Sequence, residues 1–372
     1  MNQLGLALLL LSFVGGAMAL ALALASIRRG GRDEGLLGAS RRWVNVSAAA
    51  ILAASAVLLH LLVNHDFSNE YVAGYTDRRM ALLYLMAAFW GGQKGSLLFW
   101  ALNLIGAAAL ALHLQRYRRW AGEAWAIVFL MAIFLFFGTC LLFVADPFEQ
   151  FLVLRLADGD GLNPLLQNAA MVYHPPTILA GYAIWAIPFA YSLAGLAVGD
   201  LEAGWQRSLR AFTVGGWVLL SLGNLFGAFW AYTELGWGGF WGWDPVENAS
   251  LMPWFTATAY IHSIMVQERR GMAKGWNMAL LMVTFMLTLL GTFITRTGLI
   301  QSVHAFGSGS LLGPMFLVLM VLVVVVWSVL MVVRRGLLQG RVPSGRLTLL
   351  GFFLVLQLFA CWELARGSMV RG

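Results

Sequence analysis

The chain has 372 residues, of which 60% are hydrophobic and 11% charged, with a formal net charge of +7 and a mean hydropathy of +0.77. That balance excludes a soluble domain of this length and indicates a polytopic membrane protein. The basic surplus is scattered through short loops and forms no patch, which argues against a nucleic-acid surface.

Apolar runs near the roughly 20 residues of a bilayer crossing predict an all-α membrane bundle of about ten transmembrane helices. They lie over 3–26, 43–64, 95–114, 122–144, 176–198, 209–231, 249–267, 276–295, 311–333 and 346–365. The first run lacks a basic segment before it, and Arg28, Arg29 and Arg32 follow it. That order predicts a retained first helix with its N-terminus outside rather than a cleaved signal peptide. Cys140 and Cys361 both fall in apolar runs without a C-x-x-C spacing, so no thiol-redox or metal motif is expected. No internal repeat or separable soluble domain is visible, and 1–372 reads as one integral membrane domain.

Orientation follows from the basic residues of the short loops. Most of the 24 Lys and Arg fall in one alternate set of loops, from Arg28–Arg42 through Arg116–Arg119, Arg207–Arg210 and Arg269–Lys274 to Arg334–Arg346. The opposite set holds only Arg78, Arg79, Lys94, Arg155, Arg296, Arg366 and Arg371. The richer side is expected to be cytoplasmic. The elaborate loops 65–94, 145–175, 230–254 and 296–310 then face outward, and function is sought there.

The segment 230–254, WAYTELGWGGFWGWDPVENASLMPW, concentrates Trp230, Trp237, Trp241, Trp243 and Trp254 of the chain's 16 tryptophans. Gly236, Gly238, Gly239, Gly242 and Pro245 deny it a continuous helix. Indoles on a glycine backbone at the membrane surface suit a large flat ligand. Interfacial anchoring is the competing explanation, which the density and the acid/amide cluster that follows disfavour. Asp244 and Glu247, three apart, begin the next crossing. Either they cap that helix or they contact a bound ligand or partner.

Three of the 6 histidines stand out by position. His174, in YHPPT, is expected just before the 176–198 helix, with Pro175 and Pro176 directing the chain into it. His304 follows the 276–295 helix on the same outer side. Two neutral imidazoles across an aromatic floor suit axial ligation of a haem iron, and a surface or capping role is the alternative for each. His262 lies near mid-membrane, where a polar side chain is a functional candidate or an interhelical bridge. A resident b-type haem there needs a second ligand, and neither His60 nor His113 lies at an obviously matching depth. Arg296, in ITRTG, either pairs with a haem propionate or balances a helix end.

With these residues in view, WGGFWGWDPVENASLMPW resembles the tryptophan-rich signature of membrane proteins that handle haem in cytochrome c biogenesis. HPPTILAGY (174–182), ITRTGLIQSVHAF (294–306) and LLYLMAAFWGGQKGSLLFW (82–100) together resemble its CcmF/NrfE branch. The likeness covers roughly 40–310 as a haem-handling core, and 311–372 matches weakly. The resemblance implies a haem lyase subunit in a bacterial inner membrane, with its active face periplasmic. It implies that His174 and His304 ligate incoming haem b over Trp237, Trp241, Trp243, Asp244, Pro245 and Glu247. It further implies His262 as one ligand of a resident haem. Implied partners are a periplasmic haem chaperone of the CcmE type, an apocytochrome-presenting subunit of the CcmH type, and apocytochrome c with its C-x-x-C-H motif. Family members supply the second membrane histidine from a later region, so either a second chain contributes it or the sequence is a truncation. A haem transfer or export protein that delivers haem without attaching it is the alternative. A small-molecule transporter is disfavoured, because the crossings are almost free of charge.

Overall fold

The computed structural model describes residues 1–114, 120–152, 156–201, 203–297, 302 and 311–338. Its helices are α1 (Asn2–Arg28), α2 (Glu34–Val63), the short α3 (Glu70–Tyr75) and α4 (Leu82–Gly91), α5 (Gln93–Leu114) and α6 (Glu123–Phe143). Then come α7 (Ala169–Val198), the short α8 (Ala203–Ser208), α9 (Arg210–Glu234), α10 (Pro245–Arg270), α11 (Lys274–Thr297) and α12 (Leu312–Val333). Among the described residues the only strand-like pairing is an isolated antiparallel bridge, Asn69 to Gln150.

The polytopic reading holds, with eight helices among the described residues long and apolar enough to cross a membrane: α1, α2, α5, α6, α7, α9, α11 and α12. The predicted crossing at 249–267 falls in α10, which is not among those eight. It is long enough, but Glu247, Asn248, Ser250, Thr256, Thr258, His262 and Ser263 dilute its apolar character. The predicted run 346–365 and the second cysteine lie outside the described residues.

Small side chains set the first hairpin. Ser12 Oγ donates to the Ser47 carbonyl and Ser47 Oγ to that of Ser12, each at 2.8 Å, while Ser40 Oγ reaches the Ala19 carbonyl. Gly15 sits where a Cβ would come within 2.5 Å of Ser47 Oγ. Close backbone approach through small residues is how helices associate where lipid removes the hydrophobic drive. The central α7 carries no charged residue and packs on α5, α6, α9 and α11.

Three boundaries differ from expectation, each for a local reason. Helix α2 starts earlier because Asp33 accepts from the Leu36 amide and caps it. Arg41, expected in a loop, therefore sits inside the helix and forms a two-pronged pair with buried Glu123 on α6 at 2.5 and 3.0 Å. Glu123→Gln is expected to lower stability by about 2 kcal/mol, as for a hydrogen bond to a charged group. Thermal unfolding in detergent checks this; an unchanged midpoint would mean the pair contributes nothing.

The expected loop 65–94 folds in part into α3 and α4. Tyr71 Oη donates to the Ala88 carbonyl at 2.8 Å and accepts from the Gly92 amide at 3.0 Å, closing the end of α4. A Cβ on Gly95 would meet the Phe89 carbonyl at 1.9 Å, so α5 can begin only with glycine there.

Helix α7 is the third case. It begins at Ala169, capped by Asn168, so His174, Pro175 and Pro176 lie within it and not ahead of it. Proline has no N–H, so Pro175 leaves the Met171 carbonyl without its intrahelical donor. The indole N–H of Trp90 takes that place at 3.0 Å.

Side-chain contacts sort the connections to two ends of the bundle. One end gathers Asn2, Asn69 and Pro147, with Asn69 bonded to both others. It also gathers Gln93 with Arg296, and Asn168 with Glu234. The opposite end gathers Trp120 with Asp200, Gln267 with Leu201, and Arg210 with Glu268. The described parts of the elaborate loops share the first end.

Candidate functional site

At that first end the helices part around a cavity of about 100 Å³, partly open to solvent. Its walls come from α4, α5, α7, α9, α10 and α11 and from the tryptophan segment. Trp90, His174, Tyr182, Asn224, Trp230, Trp241, Glu247, Ser250 and Arg296 are among the lining residues.

His174 is fixed from several sides. Its Nδ1 lies 2.8 Å from the Gly223 carbonyl, which assigns the proton to Nδ1 and the lone pair to Nε2. Its ring lies nearly parallel to Trp230, at 14° with centroids 6.4 Å apart. A Cβ on Gly227 would stand 2.7 Å from the imidazole, so glycine makes the space. Trp230 is anchored by its own N–H to the Leu165 carbonyl at 3.0 Å.

The segment between α9 and α10 is irregular, as its glycines and proline require, with Gly236 and Gly238 at positive φ. It is tied down by its own acids. Asp244 Oδ1 accepts from the Val246 amide at 2.9 Å; Glu247 Oε2 accepts from the amides of Gly242 at 3.0 Å and Asp244 at 3.2 Å. This is a capping box with Pro245 at the first helical position. Of the two explanations for Asp244 and Glu247, capping is the one this geometry displays. Asn248 Nδ2 holds the Trp243 carbonyl, Ser302 donates to Asp244 at 2.8 Å, and Ser250 Oγ reaches Asn224 at 2.7 Å.

The tryptophans are not equivalent. Trp241 lines the cavity, and Trp237 folds over Gly242, where a Cβ would come within 2.4 Å of its ring. Trp243 has φ 57°, unusual for a bulky residue, and its side chain is 54% exposed, turned edge-on to Trp241. Of the expected site, the cavity thus unites His174, Trp241 and Glu247. Trp237, Asp244 and Pro245 shape it from behind, and Trp243 projects outward. His304 lies outside the described residues.

The profile of the Cytochrome C assembly protein family matches residues 90–302, the stretch that holds this cavity. The chain belongs to that family. It is 39% identical to the cytochrome c-type biogenesis protein CcmF of Pseudomonas fluorescens, over 86% of this chain and 51% of that one. With CcmF of Escherichia coli the identity is 38%, over 84% and 48% of the two chains. With NrfE of Haemophilus influenzae it is 38%, over 73% and 42%. A solved structure described as the cytochrome c heme lyase CcmF superposes with a TM-score of 0.80 at 30% identity, covering all of this chain and 57% of that one. The chain spans about half the length of the curated relatives it matches.

For a cytochrome c assembly protein, several further lining residues carry a signal in the sequence itself. Trp90 lies in the 82–100 motif, Trp230 opens the tryptophan segment, and Asn224 is an amide inside an apolar crossing. A second haem set is a different matter. His262 is exposed on α10, with Nδ1 2.8 Å from the Thr258 carbonyl of its own helix. Helix α10 packs chiefly on α9 and α11, whereas His60 and His113 stand on α2 and α5. The described residues therefore do not complete a bis-histidine site around His262. Haem content of the purified chain is expected to be the same in wild type and His262→Ala. A pyridine haemochrome assay checks this; a clear drop in the variant would place a complete resident site within this chain.

Proposed function

We propose that this chain is a membrane subunit of a cytochrome c haem lyase, holding substrate haem b at the outer cavity while apocytochrome thiols attack it. The observation that carries this reading is His174 fixed beside Trp230 in a cavity that Trp241 also lines. Indole rings would pack on the porphyrin face and Nε2 of His174 would offer a lone pair to the iron, with His304 the further ligand that the resemblance implies. Thioether formation adds an S–H across a vinyl C=C. A C–S bond forms, the π bond is consumed, the hydrogen ends on carbon, and nothing departs. Such a reaction asks the protein for orientation and no covalent nucleophile.

The remaining partners follow from the resemblance: a haem chaperone of the CcmE type delivers haem, and a CcmH-type subunit presents the C-x-x-C-H segment. The basic-residue bias supports a cavity facing away from the cytoplasm, which in the membrane the resemblance implies is the periplasmic side.

The test is co-expression with those partners and an apocytochrome in cells lacking their own maturation system. Haem that stays on the cytochrome through denaturing electrophoresis supports the lyase reading. Haem that reaches the apocytochrome but is stripped by denaturation would reduce this chain to haem delivery.

A further inference from the structure

Arg296 ends α11 and is only 3% exposed, yet it lines the cavity. Its guanidinium donates to Ser96 Oγ at 2.9 Å, Thr295 Oγ1 at 3.2 Å and, weakly, the Thr292 carbonyl at 3.4 Å. Each of these partners is neutral. The Nε–H has no hydrogen-bond partner among the described residues. No salt bridge formed among them includes Arg296. The following stretch 298–310, GLIQSVHAFGSGS, contains no acid either. The acid on the cavity wall, Glu247, spends Oε2 on two backbone amides of the tryptophan segment.

A buried charge is tolerated where an opposite charge meets it, and inside a membrane bundle such a group marks a ligand path. A guanidinium offers a planar fork of donors that matches a carboxylate and holds it in a set orientation. Much of the rest of the wall is apolar or aromatic, through Trp90, Ile178, Leu179 and Trp241, with Asn224, Ser250 and Thr292 as neutral polar groups beside Glu247. The cavity combines a flat apolar surface with one buried cation.

We propose that Arg296 is the receptor for a carboxylate of the molecule that enters this cavity. Resting on the function above, that carboxylate is a haem propionate; a fatty acid presents the same group on an apolar body. Arg296 is then a positioning residue. It fixes how the porphyrin is turned about the His174 axis, and so which vinyl edge faces the incoming thiols.

The test is titration of the purified chain in detergent with iron protoporphyrin IX and with its dimethyl ester, followed by the Soret band. Wild type, Arg296→Gln and Arg296→Lys are compared. Wild type is expected to prefer the free acid by about tenfold, the worth of one hydrogen bond to a charged group. Arg296→Gln is expected to erase that preference by weakening the acid alone, and Arg296→Lys to recover part of it. Ester binding reports whether the cavity survives the substitution. Equal binding of acid and ester by wild type, or equal weakening of both in Arg296→Gln, would overturn the proposal. A third titration, with laurate read by tryptophan fluorescence, separates this proposal from the haem reading. Laurate binding that needs Arg296 in a chain that binds neither porphyrin would keep the carboxylate site and remove haem. Porphyrin binding without acid–ester discrimination would keep haem and remove the carboxylate site.

Discussion

His174→Ala is expected to empty the outer cavity of haem and to stop thioether formation, while the protein folds and inserts normally. The imidazole is half-buried and its ring contacts serve its orientation more than the helix. The Gly223 carbonyl sets its tautomer, Gly227 leaves room for the ring, and Trp230 lies alongside. Each is an outer-shell device of the kind whose loss costs metal sites about 10–100-fold in affinity. Losing the ligand itself is expected to cost about 100-fold or more. The measurement is the Soret position and haem stoichiometry of the purified protein, beside covalent haem on the co-expressed cytochrome. His174→Gly supplies a control, since added imidazole can occupy the vacated ring space and restore the six-coordinate spectrum. Normal attachment by His174→Ala would move the haem site elsewhere.

How much of this was readable beforehand depends on whether the determining interaction is local. The crossings were legible because twenty apolar residues in a row have few other fates. The tryptophan segment was legible as irregular backbone because glycine and proline act locally. Asp244 and Glu247 at a three-residue spacing carried the capping box in plain view. The start of α7 at Ala169 is not legible in the same way, because a proline pair resembles a helix start. The cost of Pro175 inside the helix is offset by the indole of Trp90 on the Met171 carbonyl, 81 residues away along the chain.

The same distance hid Arg296. An arginine at a helix end looks like an interfacial charge, and only contact with Ser96, 200 residues away, reveals its burial. The phase of α10 was hidden too. Its buried face is itself polar, with Thr256, Ser263 and Gln267 inside, so polarity gave no sign that His262 turns outward. Trp241 and Trp243 differ in role through one backbone angle, the positive φ at Trp243, which composition does not encode.

Glu247→Ala is expected to release the tryptophan segment from the cavity without unfolding the bundle. Glu247 is 8% exposed, and its Oε2 accepts from the amides of both Gly242 and Asp244. Removing it leaves two donors without their acceptor and breaks one half of the capping box. Together these cost about 2 kcal/mol. The cost falls on the stretch 236–244, where irregular backbone has few other ties, so the segment opens locally before α9 or α10 does. Trp241 then leaves the cavity wall, and haem affinity is expected to fall by about tenfold, the equivalent of 1.4 kcal/mol. Amide hydrogen exchange at Gly242 and Asp244 and limited proteolysis between Leu235 and Asp244 read the opening directly. Glu247→Gln separates the two ways the carboxylate acts. Its side-chain carbonyl still accepts hydrogen bonds but carries no charge, so if capping is the role, exchange and haem binding stay near wild type. If Gln behaves like Ala, the charge matters more than the acceptor, and Glu247 acts on the ligand or on the positive end of α10 and not as the latch of the loop.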